Sequence, residues 1–338
     1  MRVAMIAPNY TSGKTGNFVT VSRLERHLRD LGCEVKVFGV DRLTAEKLLQ
    51  GVKDFAPQLL HAFHGYSGGR VAHALAEELG IRYLVTITGT DVYQTLIDQR
   101  SHETHLALRG AERLVVFDAA IKRRLAEHLP SLEPKTMVIA QGVDLLEGCQ
   151  GAAECEEDAF TFLFPAGLRP VKNVIFPLAP LNVLYAVYPQ IRLQLVGPVM
   201  DPVYAEEVLS AVENYPFASY LGEVCHSSMA ALYRGADVVL NCSFFEGGMA
   251  NALLEAMACG KAVLASDIEG SRSIVKEGVT GLLYRDEAEF RHKAERLINA
   301  PHLRAQLGNS ACELIAEKHS PEAEAQAYLE LYRGILNP

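Results

Sequence analysis

Cysteine patterns that would indicate a disulfide framework or a zinc site are missing from this sequence. Its seven cysteines are odd in number, are spread from Cys33 to Cys312 and never occur as C-x-x-C. An even set of cysteines in a short chain is typical of a disulfide framework, and C-x-x-C pairs are typical of cysteine zinc sites. We therefore expect reduced thiols, as in a cytoplasmic protein, and no cysteine-bound metal.

A membrane span and a signal peptide are also missing. No window of the sequence approaches the ~20 apolar residues that a membrane helix requires. The chain starts directly with the strand-like run "MRVAMIA", which lacks the basic lead and the long apolar stretch of a signal peptide. We expect a cytoplasmic protein that does not span a membrane, while peripheral association with a membrane stays open.

Positive charge is in deficit. The chain has 32 Lys and Arg against 41 Asp and Glu, which gives a formal net charge of −9. Binding to nucleic-acid phosphates requires a basic stripe, and this sequence shows none. We expect a small-molecule partner and no nucleic acid.

The length and the alternation of segments predict two domains. At 338 residues the chain exceeds one ordinary core and suits two domains of roughly 150 residues. Short apolar runs alternate with amphipathic segments, which predicts parallel strands covered by helices on both faces. The acidic, aperiodic stretch 147–158 is typical of a linker. We predict an α/β protein with Rossmann-like doubly wound parallel-sheet domains at 1–150 and 159–318.

A terminal helix at 319–338 is predicted from its start signal. Ser320 is a favoured N-cap residue, and Pro321 fits the first helical position. An apolar stripe follows, formed by Ala325, Tyr328, Tyr332 and Ile335. We expect this helix to cross back to the N-terminal domain.

The loop after the first strand is the first candidate ligand site, because ligands of open α/β sheets bind beyond the carboxyl ends of the strands. Its "SGKT" is not a P-loop, since the leading glycine of that motif would fall at Pro8. Gly16 and Asn17 open a helix whose free N–H groups favour an anion, although a plain strand-to-helix turn explains them equally well. No G-x-G-x-x-G follows a strand, which disfavours a dinucleotide-dependent dehydrogenase.

The most informative segment is "SFFEGGMANALLEAMACGKAVLASDIEG" in the second half. A predicted strand leads into a loop with Glu246, and a helix that begins near Met249 or Ala250 carries Glu255. Glycines let a backbone approach a ligand closely, and a helix start offers N–H groups to a pyrophosphate. Two glutamates near a helix start can also serve only to complement the helix dipole.

This segment resembles the E-x-x-x-x-x-x-x-E signature of retaining GT-B glycosyltransferases of family 4. The resemblance implies that Glu246 contacts the donor sugar near its reacting face and that Glu255 holds the ribose hydroxyls. The spacing is one residue longer than the family pattern, which we interpret as a glycine-permitted bulge rather than an altered role for Glu246. The resemblance also assigns the intervening residues to donor binding: Gly247, Gly248, Met249, Ala250 and Asn251.

A second segment, "PAGLRPVKNV", is similar to the G-x-x-x-x-x-K element of the same family. The resemblance implies that Arg169 and Lys172 neutralise the donor diphosphate, for which a guanidinium fork and an ammonium are suited. Gly167 stands where the family usually has an arginine, and a solvated basic pair is the alternative. Farther along, the resemblance places the donor base against the backbone near Glu223 and Val224.

Two loops of the first half, "QLLHAFHGYSGGR" and "VTITGTDVY", resemble acceptor-side loops of the family. They imply acceptor-side roles for His64, Thr90 and Asp91, although His64 equally fits an ordinary strand-end histidine. Thr88 replaces a histidine that touches the donor sugar in many relatives. The variants "TGTD" and "GLRxVK" are similar to a branch that includes selenosugar synthases and glycosyltransferase-domain-containing proteins.

The resemblance as a whole implies a GT-B fold, with two domains facing a cleft. It implies retaining transfer of a sugar from a nucleotide diphosphate sugar, with a UDP-sugar favoured, to a small-molecule or glycan acceptor. Glu246, Arg169 and Lys172 would catalyse it without a metal ion or another cofactor, and no D-x-D cluster occurs in a suitable loop. The alternatives are a selenosugar-type synthase, a GT-B nucleotide-sugar epimerase and an inactive sugar-nucleotide binding protein.

Overall fold

The chain forms two compact α/β units. The computed structural model describes residues 1–8, 10, 16–41, 43–88, 91–145 and 159–337. One unit comprises Met1–Gly142 with His319–Pro338, and the other comprises Val143–Lys318. Each contains a six-stranded sheet in which the paired strands run parallel, so the predicted α/β class with two doubly wound parallel sheets is confirmed. The stretch predicted as a linker lies outside the described residues.

The sheet of the first unit has the strand order β2-β1-β3-β4-β5-β6. Its strands are β1 (Arg2–Ala7), β2 (Glu34–Gly39), β3 (Leu59–Phe63), β4 (Tyr83–Thr86), β5 (Arg113–Val116) and β6 (Thr136–Val138). The helices between them are α1 (Gly16–Asp30), α2 (Ala45–Phe55), α3 (Arg70–Leu79), α4 (Ser101–Gly110) and α5 (Ala119–His128). The order reverses between β1 and β3, so the loops after these two strands diverge and leave a crevice.

The sheet of the second unit has the order β12-β11-β10-β7-β8-β9. Its strands are β7 (Phe160–Pro165), β8 (Ile191–Val196), β9 (Ala218–Tyr220), β10 (Val238–Asn241), β11 (Ala262–Ser266) and β12 (Leu282–Tyr284). Its helices are α6 (Leu178–Tyr185), α7 (Pro202–Val212), α8 (Met229–Gly235), α9 (Asn251–Ala258), α10 (Glu269–Arg272), α11 (Glu287–Asn299) and α12 (Pro301–Lys318). This is the Rossmann order, and its reversal lies between β7 and β10.

The central strands are buried because their apolar runs face helices on both sides. All five residues of β3 and all four of β4 and β10 are buried. Strand β6 differs, since Met137 and Val138 are exposed where the strand forms the edge of its sheet. The expectation that helices cover both faces of the strands is therefore wrong for the apolar run that forms β6.

Helix α13 (Pro321–Leu336) returns to the first unit after the second unit has been completed. The Ser320 hydroxyl accepts a hydrogen bond from the Ala323 N–H at 3.2 Å, and Pro321 is the first helical residue. The helix start is therefore the one that the sequence predicts. Its apolar stripe is buried in the core around β1 and α1, at Ala325, Tyr328, Tyr332 and Ile335.

Buried polar contacts attach α13 to this core. Arg23 of α1 donates to both carboxylate oxygens of Glu324, at 2.9 and 3.2 Å, and both side chains are only 1% exposed. His61 of β3 contacts the Tyr332 hydroxyl at 2.6 Å and the Thr86 hydroxyl at 2.7 Å. Burial lowers the pKa of His61 to about 3, so the imidazole is neutral at physiological pH and its role is structural.

None of the helices that the structure describes is both long and apolar enough to cross a membrane.

We expect Glu324→Ala to destabilise the first unit by about 3–5 kcal/mol, because it leaves the Arg23 guanidinium buried without its partner. Replacing both partners with apolar residues, as Arg23→Met with Glu324→Leu, should recover most of that loss. Urea unfolding of the three proteins measures the difference. A loss below about 1 kcal/mol for Glu324→Ala would show that water or another group satisfies Arg23.

Candidate active site

The candidate site of the second unit lies where its strand order reverses. Strands β7 and β10 are paired in parallel, with Phe162 opposite Val238 and Leu163 opposite Val239. The chain leaves these neighbouring strands in opposite directions, which opens a crevice at their carboxyl ends. The loop after β7 carries Arg169 and Lys172, and the loop after β10 carries Glu246.

An ion pair joins these two loops. The Lys172 Nζ lies 2.5 Å from Glu246 Oε1, and the two side chains are 16% and 11% exposed. The same oxygen accepts hydrogen bonds from the Ser243 hydroxyl at 2.7 Å and from the Asn241 amide at 3.2 Å. All three side-chain bonds end on Oε1, and none from the described part of the chain ends on Oε2.

The electrostatics of Glu246 follow from these contacts. Burial alone would raise the pKa of this carboxyl group. The charge and hydrogen bond of Lys172, followed by the bonds from Ser243 and Asn241, outweigh burial and hold the pKa below its ordinary value. Glu246 is therefore a carboxylate at neutral pH, with Oε1 held by three side chains and Oε2 without a side-chain hydrogen bond from the described residues.

The loop that carries Glu246 is fixed at several points of its backbone. The Ser243 N–H donates to the Asn241 side chain at 3.0 Å, and the Ser266 hydroxyl of β11 donates to the Ser243 carbonyl at 2.7 Å. The Phe244 N–H donates to the Val171 carbonyl at 3.0 Å, which ties this loop to the one that carries Lys172. The positions of Lys172 and Glu246 are therefore set by backbone as well as by their own charges.

The rest of the loop leads into α9, which begins at Asn251 rather than at the expected Met249 or Ala250. Gly247 and Gly248 are buried, and Met249 is half-buried. No side chain caps the helix at Ala250, and the N–H groups of Leu253 and Leu254 donate to the Ala250 carbonyl oxygen at 3.0 and 3.1 Å. This helix start therefore offers an anion mainly the positive end of its dipole. Residues 247–250, between Glu246 and α9, therefore lie outside the helix.

Gly270 allows the loop that carries Glu246 to pack closely against α10. A Cβ atom at Gly270, in α10, would lie 2.5 Å from Glu246 Cβ and 2.8 Å from the Gly248 carbonyl oxygen. Both distances are below any real Cβ contact. Only glycine at position 270 lets the Glu246 loop pack against α10.

Arg169 lies in the same loop as Lys172 but does not take part in the ion pair. It precedes the short 3-10 turn Pro170–Lys172, is half-exposed, and forms no ion pair with the residues that the structure describes. At Gly167 a Cβ atom would lie 2.8 Å from Met200 Cγ, so a larger side chain would displace that methionine. Arg169 is therefore the cation of this loop that has no ion-pair partner among the described residues, and a larger side chain at Gly167 would not fit in its place without moving Met200.

Glu255 is held separately, on α9. The Tyr233 hydroxyl donates to Oε2 at 2.8 Å, and His226 Nε2 lies 2.8 Å from Oε1. Glu255 is 6% exposed and Tyr233 is fully buried, whereas about a third of the His226 side chain is exposed. Solvent therefore reaches this carboxylate from the side of His226. Glu223 and Val224 lie just before His226, the first exposed and the second half-buried.

In the first unit, Asp91 and His64 lie together at the carboxyl ends of β3 and β4. The fully buried Asp91 carboxylate accepts the N–H groups of Gly65 and Thr88, both at 2.8 Å, and contacts His64 Nδ1 at 2.9 Å. Burial would lower the pKa of His64, but Asp91 raises it above its ordinary value. His64 has a φ of 70°, a strained backbone conformation typical of functional sites. Thr90 lies outside the described residues.

Two more predicted residues lie in the first unit. Gly16 and Asn17 form the start of α1, the helix that follows β1. Thr88 is almost fully buried, and its hydroxyl has no hydrogen-bond partner among the described residues. Among all the residues that the structure describes, no three His, Cys, Asp or Glu side chains group in a way that could hold a metal ion.

Four residues of the second-unit site were missed by the sequence analysis: Asn241, Ser243, His226 and Tyr233. Asn241 and Ser243 left a signal, because they are polar residues at the end of an otherwise apolar strand, where side chains reach a ligand edge. His226 and Tyr233 left none, since they reach Glu255 only in the folded chain, His226 from the 3-10 turn before α8 and Tyr233 from α8 itself.

Both units of this chain resemble known proteins. Residues 159–300 match the family described as glycosyl transferases group 1. Over 336 residues the chain is 27% identical to glycosyltransferase 1 domain-containing protein 1 of Xenopus tropicalis, covering 96% of this chain and 94% of that protein.

Two solved structures resemble this chain in fold. Sucrose-phosphate synthase from Thermosynechococcus elongatus has a TM-score of 0.83 at 19% identity, over 99% of both chains. Alr3699/HepE from Anabaena, solved in complex with UDP and glucose, has a TM-score of 0.80 at 16% identity, over 99% of this chain and 100% of that one.

We expect Gly270→Ala to lower the free energy of unfolding of the second unit by about 1–3 kcal/mol, because the new methyl group overpacks against the Glu246 loop. Gly235→Ala is the matched control, since a Cβ at Gly235 meets nothing within 4 Å. That control should leave stability unchanged or raise it slightly. Chemical denaturation compares the two variants, and equal stabilities would contradict the close packing of Gly270.

Proposed function

We propose that this chain, which has the GT-B fold and carries a glycosyl transferases group 1 domain over residues 159–300, transfers a sugar from a nucleoside diphosphate with retention of anomeric configuration. The carrying observation is the Lys172–Glu246 ion pair at the strand-order reversal of the second unit, with Arg169 in the same loop as Lys172. Membership of family 4, and of the branch with glycosyltransferase-domain-containing proteins, belongs to the same proposal.

The donor diphosphate binds between Arg169, Lys172 and the start of α9. Arg169 offers a planar fork without an ion-pair partner in the described chain, and Lys172 offers a partly buried point charge. The start of α9, which has no side-chain cap, adds the positive end of the helix dipole. These groups supply the positive charge that the leaving diphosphate requires, so we propose catalysis without a metal ion or another cofactor.

The donor sugar lies against Glu246. Oε2 of this carboxylate accepts hydrogen bonds from sugar hydroxyls, while Oε1 stays fixed by the protein. In the reaction, the acceptor atom bonds to the anomeric carbon on the face from which the phosphate oxygen departs. The acceptor proton passes to that phosphate oxygen, and the negative charge of Glu246 stabilises the positive charge that develops on the sugar.

The nucleoside lies on the other side of the diphosphate. Glu255 accepts the ribose hydroxyls, and the base lies along the backbone near Glu223 and Val224. The order of these segments along the edge of the second sheet supports this placement. A UDP-sugar is favoured, because the structurally similar Alr3699/HepE binds UDP.

The first unit recognises the acceptor, a small molecule or a glycan. His64 and Asp91 form the polar pair at the edge of its sheet. Gly16 and Asn17, at the start of α1, are assigned to the donor instead, because a helix start favours an anion. The free cysteines of the described chain, such as Cys33 and Cys259, fit a cytoplasmic enzyme.

The product of transfer should keep the anomeric configuration of the donor sugar, and the reaction should proceed in excess EDTA. The physical reason is that Arg169, Lys172 and the start of α9 take the place of a divalent ion. Proton NMR of the first-formed product, recorded in EDTA, reports the configuration through the coupling constant of the anomeric proton. An inverted product would refute same-face displacement, and activity that returns only with magnesium or manganese would refute metal independence.

Glu255→Gln should weaken binding of a nucleoside diphosphate by about tenfold or more, since a charged hydrogen bond is worth roughly 1.5–3 kcal/mol. The 2′,3′-dideoxy analogue of the same nucleotide should lose much less, because it has no vicinal hydroxyls to donate. Calorimetric titration of both ligands against both proteins measures the difference. Equal weakening of the two ligands would mean that Glu255 acts through the stability of α9 instead.

A further inference from the structure

We infer that Glu246 makes the site discriminate between the intact donor and the spent nucleoside diphosphate, and that the Lys172–Glu246 ion pair promotes release of the spent nucleotide. This inference rests on the proposed function and extends it to the end of the reaction. Lys172 forms an ion pair with Glu246 in the structure, and the proposed diphosphate needs the same ammonium group.

Glu246 and the donor diphosphate compete for Lys172. In the structure its ammonium group lies 2.5 Å from Glu246 Oε1, with both side chains largely shielded from solvent. The proposed diphosphate uses the same ammonium group. A diphosphate that enters must therefore draw Lys172 away from Glu246 or share it, and in both cases the attraction within the existing ion pair opposes binding.

Glu246 keeps only neutral hydrogen-bond donors when Lys172 turns to the diphosphate. Ser243 and Asn241 still donate to Oε1, at 2.7 and 3.2 Å in the structure, but both are neutral. They fix the carboxylate without compensating its charge. A diphosphate beside this shielded carboxylate is then repelled, and the repulsion is weakly screened because little solvent reaches the pair.

The intact donor and the spent nucleoside diphosphate differ in the sugar that only the donor brings to Glu246. An intact donor places a sugar beside Glu246, and its hydroxyls donate to Oε2, which accepts no side-chain bond from the described residues. These charged hydrogen bonds offset the loss of the lysine. A spent nucleotide has no sugar to offer, so it meets the repulsion alone. Once the sugar has left, re-formation of the ion pair favours departure of the nucleotide.

The test measures binding of UDP and UDP-glucose, with GDP and GDP-mannose in parallel, by calorimetry. Glu246→Gln keeps the shape of the side chain and removes its charge. We expect it to tighten binding of the nucleoside diphosphate by about tenfold or more and to weaken binding of the matching nucleotide sugar. Glu246→Ala is a second neutral variant that should tighten the nucleoside diphosphate in the same way.

Two controls separate this effect from a change in overall charge or shape. Glu289→Gln removes one negative charge from an exposed pair with Arg285 in the same unit, and it should leave both affinities unchanged. Glu246→Asp keeps the charge, so the affinity for the nucleoside diphosphate should stay near that of the unmodified protein.

A double-mutant cycle tests the shared cation directly. Lys172→Ala should weaken nucleoside diphosphate binding more in the Glu246→Gln background than in the unmodified protein, because the lysine is then fully available to phosphate. Equal effects of Lys172→Ala in the two backgrounds would overturn the inference.

The remaining outcomes distinguish the inference from the function on which it rests. If the unmodified protein binds a nucleoside diphosphate and Glu246→Gln leaves that affinity unchanged or lowers it, the inference is wrong and the proposed function stands. If the unmodified protein binds none of the four ligands, the proposed donor site is wrong and the inference is overturned with it.

Discussion

The reversal of strand order between β7 and β10 is the constraint on which the candidate site depends. Parallel strands place all their carboxyl ends at one edge, and only where the connections diverge does that edge stay uncovered. Lys172 and Glu246 are 74 positions apart in sequence, yet they meet because β7 and β10 are neighbours in the sheet. Their contact is a consequence of topology before it is one of charge.

The two glutamates of this site are held in different ways. Glu246 is fixed through one oxygen, by a cation and two neutral donors, and its other oxygen accepts no side-chain hydrogen bond from the described residues. Glu255 is fixed through both oxygens, by Tyr233 from the core and by His226 from the solvent side. The difference suits Glu246 to a ligand that brings its own hydrogen-bond donors and makes Glu255 the more rigid of the two.

Much of the fold could be predicted because the strands are continuous apolar runs between recognisable helix signals. Strand β12 could not, since Leu282–Tyr284 is too short to show a period. The motif loops with Lys172 and Glu246 stand out in the sequence, but their ion pair does not. It depends on β7 and β10 being neighbours, and local sequence patterns do not reveal the order of strands in a sheet. The contact of Tyr233 with Glu255 is invisible for the same reason, since it arises from helix packing.

The return of α13 to the first sheet makes the second unit an insertion within the first. Arg23 and Glu324 are 301 positions apart, and the first core lacks its last layer until both are present. During synthesis, the second unit is therefore fully translated while the first is still incomplete. The nascent first unit exposes apolar surface around β1 and α1 for that interval, and it becomes a finished domain only when residues 321–336 have emerged from the ribosome.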